Sequence, residues 1–447
     1  MNNLFSILLI LYTILIQTAS PQINTCRFDA IFKNPKPLQC SISSRNLGKS
    51  IYILYDVNPP EGFNLRRDVY IRLAVFVRNL QMEQGFEFVK LVLPPFRRLY
   101  HWKSSHVYQD NVLWSRFFDI PSMKEFAPVL DFNEFLAEIN ETLVDPKRIP
   151  VDVAYQLKHF EDMFENGVFR DKYELEDCKR EEYLRGYLLH QPHLIDKKFF
   201  CLKFQGGASL LTDVLKSSIQ RQKNSSPKIF AFLNAEIVLH DHWGSDEFWM
   251  ARRSMRFNRE LMKIANDFRR DFLNSTDLYD AVQRPFNWKD EKPYRGAKGG
   301  DYLCVHLRRG DFIHGREKTT PTLKSAATQT RNKMRELGLD KVFVSSDCSQ
   351  FEYKNLKSYL QRGRMYRFMS ESLHQKSIIK DGGIAIIDQI ICSHARYFIG
   401  TFESTFTYRI YEEREILGFP KHTTFNTFCK NEDLENCAKN SIWPIVY

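Results

Sequence analysis

The hydrophobic pattern near the start of the chain predicts a buried strand followed by an amphipathic helix. Residues 50–55, Ser-Ile-Tyr-Ile-Leu-Tyr, form a short apolar and aromatic run typical of such a strand. A loop with two prolines follows, and we place the N-cap of the helix at Asn64. The apolar face of that helix is formed by Val69, Leu73, Phe76, Val77 and Leu80. A loop between a strand end and a helix N-terminus is where open α/β sheets bind ligands, because free N–H groups there favour anions.

The alternation of strands and helices continues along the chain and then restarts. In the first part we predict strands at residues 87–94, 228–233 and 237–240 and a charged helix at 246–272. In the second part we predict strands at 302–307, 341–345, 365–368 and 397–399, and helices at 322–337, 350–360, 383–394 and from near Ser404. The pattern favours two successive α/β halves with a cleft between them.

The predicted domain organisation follows from this pattern and from composition. Residues 1–20 are predicted to be a secretory signal peptide, with an uncleaved anchor as the alternative. The N-terminal domain is placed at 21–284, with a boundary near 245 as the alternative, and the C-terminal domain at 301–447. Residues 285–300 concentrate Pro, Gly and charge, as expected of a linker.

Charge and composition narrow the class of protein. The chain has 447 residues and a formal net charge of +10, and the basic residues are spread in short pairs without a basic tail. This distribution suits an acidic small ligand or a solvated surface better than a nucleic-acid groove, and the usual nucleic-acid-binding motifs are absent from the sequence. No second long apolar run occurs, so we expect no membrane span in the mature chain.

Cysteines and glycosylation sequons indicate a chain of the secretory pathway. Three disulfides are plausible from sequence proximity, although spacing does not fix connectivity. They are Cys26 with Cys40, Cys178 with Cys201, and Cys429 with Cys437. Cys304, Cys348 and Cys392 lie in or beside apolar elements and are interpreted as buried thiols. Sequons begin at Asn140, Asn224 and Asn274.

Two stretches combine a strand end with groups that bind anions. Residues 302–312 end a strand at His306, Arg308 and Arg309, and a guanidinium there can hold phosphate oxygens, with an ion pair to Asp311 as the competing interpretation. Ser404 and Thr405 open a helix after another strand, and ordinary helix capping is the alternative there.

Other polar residues need a partner or a purpose. Asp388 interrupts an apolar helix and requires either a ligand donor or a protein cation. Glu61 lies in the first strand–helix loop, and it is either a carboxylate aimed at chemistry or a solvated residue of a stiff connection. His240 and His242 share a face if the segment is a strand, but no third metal ligand is evident. The sequence lacks the motifs of dehydrogenases, P-loop proteins, zincins and serine hydrolases. It also lacks the Asp-x-Asp motif, so we expect no metal.

Several of these motifs together identify a resemblance. They are Tyr55-Asp-Val-Asn-Pro-Pro-Glu-Gly-Phe-Asn-Leu-Arg-Arg-Asp68, Leu93-Pro-Pro with Leu99-Tyr-His-Trp102, Leu239-His-Asp-His242, His306-Leu-Arg-Arg-Gly-Asp-Phe312, and Ser404-Thr-Phe406 with Glu412-Glu-Arg-Glu-Ile-Leu-Gly418. In this order, from about residue 50 to 437, they resemble the GDP-fucose protein O-fucosyltransferases that modify thrombospondin type 1 repeats.

The resemblance implies a GT-B fold of two Rossmann-like domains facing a cleft. It implies inverting transfer of fucose from GDP-β-L-fucose to Ser or Thr of a folded repeat, in the endoplasmic reticulum lumen, by a monomer without a required cofactor. By motif, Glu61 is the general base, Arg308 contacts the β-phosphate, and Glu413 is needed for activity through the structure. The other residues implied to hold the donor are Pro60, Gly62, Phe63, Asn64, His306, Asp388, Ser404, Thr405 and Phe406. The alternatives are the same chemistry on another cysteine-rich repeat and a non-catalytic lumenal binding protein.

Overall fold

Two parallel β-sheets follow one another along the chain in the computed structural model. It describes residues 49–141, 148–178, 194–220, 228–360, 364–430 and 442–447. Within these ranges the strands are β1 (Ile51–Tyr55), β2 (Val89–Leu93), β3 (Val129–Asp131), β4 (Ile149–Val151), β5 (Val153–Lys158), β6 (Phe164–Glu165), β7 (Val168–Phe169), β8 (Lys172–Asp177), β9 (Leu194–Asp196), β10 (Phe199–Gln205), β11 (Lys228–Leu233), β12 (Gly300–Leu307), β13 (Lys341–Ser346), β14 (Arg364–Tyr366) and β15 (Ala395–Ile399).

The α-helices of the same ranges are α1 (Phe63–Leu80), α2 (Ile120–Lys124), α3 (Phe132–Asn140), α4 (Leu211–Gln220), α5 (Asp246–Ser254), α6 (Arg259–Leu273), α7 (Phe312–Gly315), α8 (Leu323–Glu336), α9 (Gln350–Leu360), α10 (Leu373–Ser393), α11 (Thr405–Ile416) and α12 (Lys421–Thr424). The predicted alternation of strands and helices is confirmed.

The large sheet has the strand order β3-β2-β1-β11-β5-β10-β8, and only β8 runs antiparallel to its neighbour. The small sheet has the order β14-β13-β12-β15 and is parallel throughout. In each sheet the first strand of the chain lies in the interior, so the loop that follows it opens at the carboxyl edge where ligands bind in such folds. The domain boundaries given above remain predictions.

The central strands are buried on both faces, as their continuous apolar sequences require. All five residues of β1 are buried, with Ile53 and Tyr55 packed on the α1 side and Tyr52 and Leu54 on the α3 side. In β12 the same alternation places Cys304 towards α10 and Val305 towards α8. The apolar cluster around α1 continues into α6, α10 and α11, so a single core connects the two sheets.

Three predictions for elements before residue 274 are wrong, and they concern the extent of one helix, the existence of one strand and the N-cap of another helix. The helix predicted at 246–272 is two helices, because residues 255–258 leave the helical path so that Phe257 bridges Phe118 and Asn258 caps α6. Residues 237–240 are the end of a short 3₁₀ turn and a loop, not a strand. Helix α1 begins at Phe63 with Gly62 as N-cap, so Asn64 is not the cap.

Helix α10 starts ten residues earlier than predicted and contains a kink. Lys380 has φ of 63° and ψ of 174°, and the next backbone N–H, that of Asp381, donates to the Gln109 side chain at 3.0 Å instead of continuing the helical ladder. At Gly382 a Cβ atom would lie 2.6 Å from the Phe117 ring, so the close approach of the backbone to this ring requires glycine.

The disulfide predictions are partly confirmed and partly wrong. Cys178 and Cys201 are bonded, and Cys348 is a buried thiol, both as predicted. Cys304 and Cys392 form a disulfide with a Cα–Cα distance of 5.1 Å, so their interpretation as thiols is wrong. The strand alternation turns Cys304 towards the last turn of α10, a proximity that 88 residues of sequence separation conceal.

Some predictions fall outside the described residues. These are the signal peptide, Cys26, Cys40, Cys437 and Asn224. Cys429 is disulfide-bonded. Asn140 and Asn274 are both exposed at helix ends, and their glycosylation remains a prediction. Among the helices in the described ranges, none has the length and apolarity needed to cross a bilayer.

Candidate active site

A cavity of about 600 Å³ lies between the carboxyl edges of the two sheets. It is lined by the loop before α1, by the ends of β12 and β13, by one face of α10 and by the start of α11. Of the predicted site residues, the following line it: Pro60, Glu61, Gly62, Phe63, Asn64, His306, Arg308, Asp388, Ser404, Thr405 and Phe406. The structure therefore brings together, in one place, all predicted site residues except Glu413.

The loop carrying Glu61 is held by the neighbouring Arg66. The Arg66 guanidinium donates to the backbone carbonyls of Val57 and Asn58, both at 3.0 Å, and to that of Glu61 at 3.2 Å. Arg66 thus fixes the loop through its backbone and does not pair with the Glu61 carboxylate. Among the described residues the Glu61 carboxylate makes no hydrogen bond or ion pair, and the side chain lies half-buried in the cavity wall.

Arg308 reaches across the cavity from the end of β12. Its guanidinium pairs with Asp311 at 2.6 Å and with Asp347 at 2.9 Å, so the ion pair considered from the sequence does form. The same guanidinium lies 3.1 Å from the His101 ring, which comes from the large-sheet side. Burial and the Arg308 charge together lower the pKa of His101. The cation is therefore oriented by partners from both sides of the cavity.

His306 is buried and neutral at physiological pH. Burial, with a smaller effect of Arg308, lowers its pKa to about 3, and its ring stacks on Phe406 with a centroid distance of 4.4 Å. The Thr407 hydroxyl donates to the Thr401 carbonyl, so it accepts from His306 Nδ1 at 2.9 Å. The proton thus resides on Nδ1, and Nε2 is left as an acceptor.

The start of α11 presents a hydroxyl that the helix itself does not use. Ser404 occupies the N-cap position but makes no side-chain capping hydrogen bond, although it is buried. Thr405, the first helical residue, is exposed to the cavity. Ordinary capping therefore does not account for Ser404, whereas an anion at the helix N-terminus would use both its hydroxyl and the free N–H groups.

Asp388 is a buried carboxyl group with half of its hydrogen-bonding capacity unused. Oδ2 accepts from the Ser345 hydroxyl at 2.8 Å, while Oδ1 is buried without a partner among the described residues. Burial raises the pKa of Asp388 to about 7, against opposing effects of Ser345 and Arg367. A ligand with an N–H donor at Oδ1 would satisfy this group and favour its ionised form.

Replacing Asp388 with asparagine is expected to stabilise the ligand-free protein at pH 8 but not at pH 4. The pKa of Asp388 is higher in the folded than in the unfolded protein, so the neutral carboxyl group stabilises the fold below pH 4. This stabilisation is lost as the pH rises through about 7. The increase in the free energy of unfolding of Asp388→Asn at pH 8 has an upper limit of about 4 kcal/mol. Urea unfolding at both pH values measures it, and an equal effect at both values would contradict the buried ionisation.

Glu413 lies outside the cavity in a buried cluster of charged side chains. Its carboxylate contacts the guanidiniums of Arg252, at 2.9 Å, and of Arg284. Burial opposes its ionisation, but the two arginines outweigh burial and lower its pKa to about 2. Glu412 beside it pairs with Arg252 at 2.8 Å and with Arg409. The cluster joins α5 to α11, which is consistent with a structural role for Glu413.

Replacing Glu413 with glutamine is expected to cost about 3–5 kcal/mol of unfolding free energy at pH 7, because Arg284 loses its counter-charge and Arg252 keeps only that of Glu412. The depressed pKa means that the stabilisation is present above about pH 4.5 and is lost as the pH falls towards 2. Denaturant unfolding of both proteins across this range is the measurement. Wild-type stability together with abolished activity would instead assign Glu413 a direct role.

Several cavity residues escaped the sequence analysis. Asp347 directly follows β13, just as Arg308 directly follows β12. Considering every residue that follows a predicted strand would therefore have identified it. Asp381 lies at the kink of α10 and accepts from the Ser104 backbone N–H at 3.0 Å, which no local pattern indicated. His101 and Trp102, of the Leu99–Trp102 motif after β2, also line the cavity, although the motif assigned them no role.

His240 and His242, considered above as possible metal ligands, have different surroundings in the structure. His240 contacts Asp68 at 3.2 Å, and Asp68 also pairs with Arg72 at 2.6 Å, whereas His242 is exposed. Across the described ranges there is no group of three or more His, Cys, Asp or Glu side chains with the geometry to hold a metal ion.

Comparison with known proteins gives consistent matches. The family model for GDP-fucose protein O-fucosyltransferase matches residues 52–417. GDP-fucose protein O-fucosyltransferase 2 of Drosophila melanogaster is 50% identical over 423 residues, which are 92% of this chain and 86% of that protein. The Homo sapiens protein of the same name is 41% identical over 405 residues, or 89% of this chain and 90% of that one.

Among solved structures, that of POFUT1 in complex with GDP-fucose matches with a TM-score of 0.52 at 14% identity, over 85% of this chain and 98% of that one. At this identity the likeness shows the fold alone. It confirms the predicted GT-B fold, in which two Rossmann-like domains face a cleft.

Proposed function

Since this chain belongs to the GDP-fucose protein O-fucosyltransferase family, we propose that it transfers fucose from GDP-β-L-fucose to a Ser or Thr hydroxyl of folded thrombospondin type 1 repeats. The observation that carries the proposal is the shared cavity, in which the Glu61 loop of one sheet faces Arg308 and the α11 N-terminus of the other. The acceptor class is supported by the resemblance of the sequence motifs described above.

In the proposed complex the small-sheet side holds the nucleotide. The unpartnered Oδ1 of Asp388 accepts N–H donors of guanine, and Ser404, Thr405 and the free N–H groups of α11 bind phosphate oxygens. Arg308 holds the β-phosphate after exchanging part of its contact with Asp311 and Asp347. His306 and Phe406, which are stacked on each other, complete the wall.

The proposed reaction is a single displacement at the anomeric carbon. Glu61 takes the proton of the acceptor hydroxyl while its oxygen bonds to the carbon, and the bond to the β-phosphate oxygen breaks with its electron pair leaving on GDP. General base assistance is worth roughly 10²–10⁴-fold, and stabilisation of the leaving anion by a positioned donor is worth about 10²–10³-fold. Attack from the face opposite the leaving group inverts a β-linked donor to an α-linked product.

We further propose that no metal or cofactor is required and that the protein acts as a monomer in the endoplasmic reticulum lumen. The cation that the leaving diphosphate needs is available in Arg308. The Cys178–Cys201 and Cys304–Cys392 bonds fit an oxidising compartment. Transfer in the presence of a chelator and a molecular mass from sedimentation test the first two points.

The test of the proposed function is incubation with labelled GDP-fucose and a panel of folded repeats. We expect label on thrombospondin type 1 repeats, none on their reduced and unfolded forms, and an α-linkage by NMR of the product. Label on folded epidermal-growth-factor-like repeats alone would change the acceptor class. Binding of repeats without transfer would indicate a lumenal binding protein instead.

A further inference from the structure

Three side chains from the two sides of the cavity form a closed hydrogen-bonded triad. Arg67, in the first turns of α1, donates through one terminal nitrogen to Asn64 Oδ1 at 3.2 Å and to Gln389 Oε1 at 2.6 Å. Gln389, on α10, donates in turn from Nε2 to Asn64 Oδ1 at 2.8 Å. Asn64 and Arg67 follow β1 of the large sheet, whereas Gln389 belongs to the helix that leads into β15 of the small sheet.

Arg67 is fully buried and contacts no carboxylate, and unlike Arg414, which is buried in the same way, it donates to no backbone carbonyl. Its Nε and second terminal nitrogen have no hydrogen-bond partner among the described residues. The guanidinium lies against the rings of Phe63, Phe118 and Phe257, at 5.7, 5.3 and 5.5 Å from the ring centroids. A buried cation without a counter-charge is costly, and apolar side chains often replace such groups without loss of stability.

The chemistry of the triad fixes which way the Asn64 amide faces. A guanidinium donates but never accepts, so it selects the oxygen of each amide that it contacts. Both acceptor positions of Asn64 Oδ1 are taken, by Arg67 and by Gln389. The N–H groups of Asn64 Nδ2 therefore remain as the polar groups that this side chain offers to the cavity, which Asn64 lines.

The triad also relates the two walls of the cavity. Gln389 directly follows Asp388, which lines the cavity, and Asn64 lies three residues after Glu61. A displacement of α1 relative to α10 would break the triad, so the triad holds Asn64 to both walls of the cavity.

We propose that Arg67 and Gln389 are positioning residues that act through Asn64, holding its amide N–H groups towards the donor sugar and phosphate. This inference rests on the proposed function. In this proposal neither Arg67 nor Gln389 contacts the substrate. Their effect on the reaction is transmitted by the orientation and position of a third side chain.

Double-mutant cycles on fucose transfer test the proposal. Arg67→Met, Gln389→Met and Asn64→Ala are each expected to lower kcat/KM by about 10–100-fold, the size of effect expected when a positioned group is displaced. Each double variant with Asn64→Ala is expected to be no worse than Asn64→Ala alone, because a residue that acts through Asn64 has nothing further to lose. Effects that multiply, or wild-type kinetics in Arg67→Met, would overturn the proposal.

A matched control contacts the same helix from the loop after β2. Gln109 exchanges hydrogen bonds with Asp381 of α10, at 3.0 and 3.1 Å, and is a buried amide that does not contact Asn64. The factor by which Gln109→Met lowers kcat/KM is expected to multiply with the factor for Asn64→Ala. If Gln109→Met is instead masked in the same way as Arg67→Met, general loosening of the α10 contacts explains the data and the proposal is wrong.

Two further readouts keep the outcomes distinct. Thermal unfolding shows whether Arg67→Met folds. If it does not, Gln389→Met is tested instead, because it changes the triad on α10 and adds no buried charge. If the wild-type protein transfers no fucose, the proposed function is wrong and the inference falls with it. Wild-type transfer with multiplying effects overturns the inference alone.

Discussion

Replacing Glu61 with alanine is expected to abolish transfer of fucose to the repeat while GDP binding persists. The carboxylate lies in the cavity wall without a partner among the described residues, and the backbone of its loop is held by Arg66. Removing the side chain therefore leaves the loop and the nucleotide wall in place but leaves no group to take the hydroxyl proton. We expect kcat to fall by about 10²–10⁴-fold with GDP affinity unchanged by calorimetry.

Chemical rescue separates a base from a structural residue. Formate, a small carboxylate, is expected to restore part of the transfer by Glu61→Ala, because it can occupy the vacated space and accept the proton. The same salt should not rescue an Arg308 variant. Turnover of Glu61→Ala near the wild-type rate, or loss of GDP affinity together with transfer, would refute the assignment of Glu61 as the base.

Replacing Arg308 with alanine is expected to weaken both GDP binding and transfer. The guanidinium is the cation that two carboxylates and His101 orient into the cavity, and a charge-assisted hydrogen bond to phosphate is worth about 1.5–3 kcal/mol. This corresponds to a loss of GDP affinity of about 10–100-fold, whereas binding of guanosine should not change, because guanosine carries no phosphate. Calorimetry with both ligands is the measurement.

Arg309 provides the matched control for Arg308. It is the next residue along the chain, but its guanidinium pairs with Glu352 at 3.1 Å and donates to the Pro321 carbonyl at 2.8 Å. Arg309→Ala is therefore expected to lower stability without changing GDP affinity. Equal losses of affinity in the two variants would show that general positive charge, not a specific phosphate contact, attracts the nucleotide.

Residues that follow strand ends could be placed at the cavity from the sequence. Glu61, Arg308 and Ser404 each follow a short apolar strand, and parallel strands bring their carboxyl ends to one edge whatever the intervening loops do. Periodicity alone was therefore enough to place these residues near a common cavity. Their identification as a fucosyltransferase site came from the combination of motifs and not from periodicity.

The residues that connect the two sheets could not be predicted in this way. Arg67 contacts Gln389 across 322 positions of sequence, and Arg252 contacts Glu412 across 160. Such pairs depend on how α1, α5, α10 and α11 pack together, which no local pattern encodes. Arginines on a helix are ordinarily expected at the surface, so their burial here reverses the usual inference from composition.

The kink in α10 was missed for a related reason. A pair of glycines at 382 and 383 is a weak local signal, and the helix was predicted to begin only at the second of them. In the structure the chain bends at Lys380 because the Gln109 side chain takes the Asp381 N–H and the Phe117 ring occupies the space of a side chain at Gly382. Tertiary contacts thus determined a boundary that propensity alone assigned differently.

The Cys304–Cys392 disulfide couples maturation of the nucleotide wall to oxidation of the chain. It joins the strand that bears His306 to the helix that bears Asp388, and it closes a loop of 88 residues, for which chain-entropy arguments give about 4–5 kcal/mol. Newly made protein that has not yet been oxidised lacks this constraint on the wall opposite Glu61. Donor binding by this wall would then begin only after the chain itself has been oxidised, so the redox state of one cysteine pair would set when the cavity becomes competent.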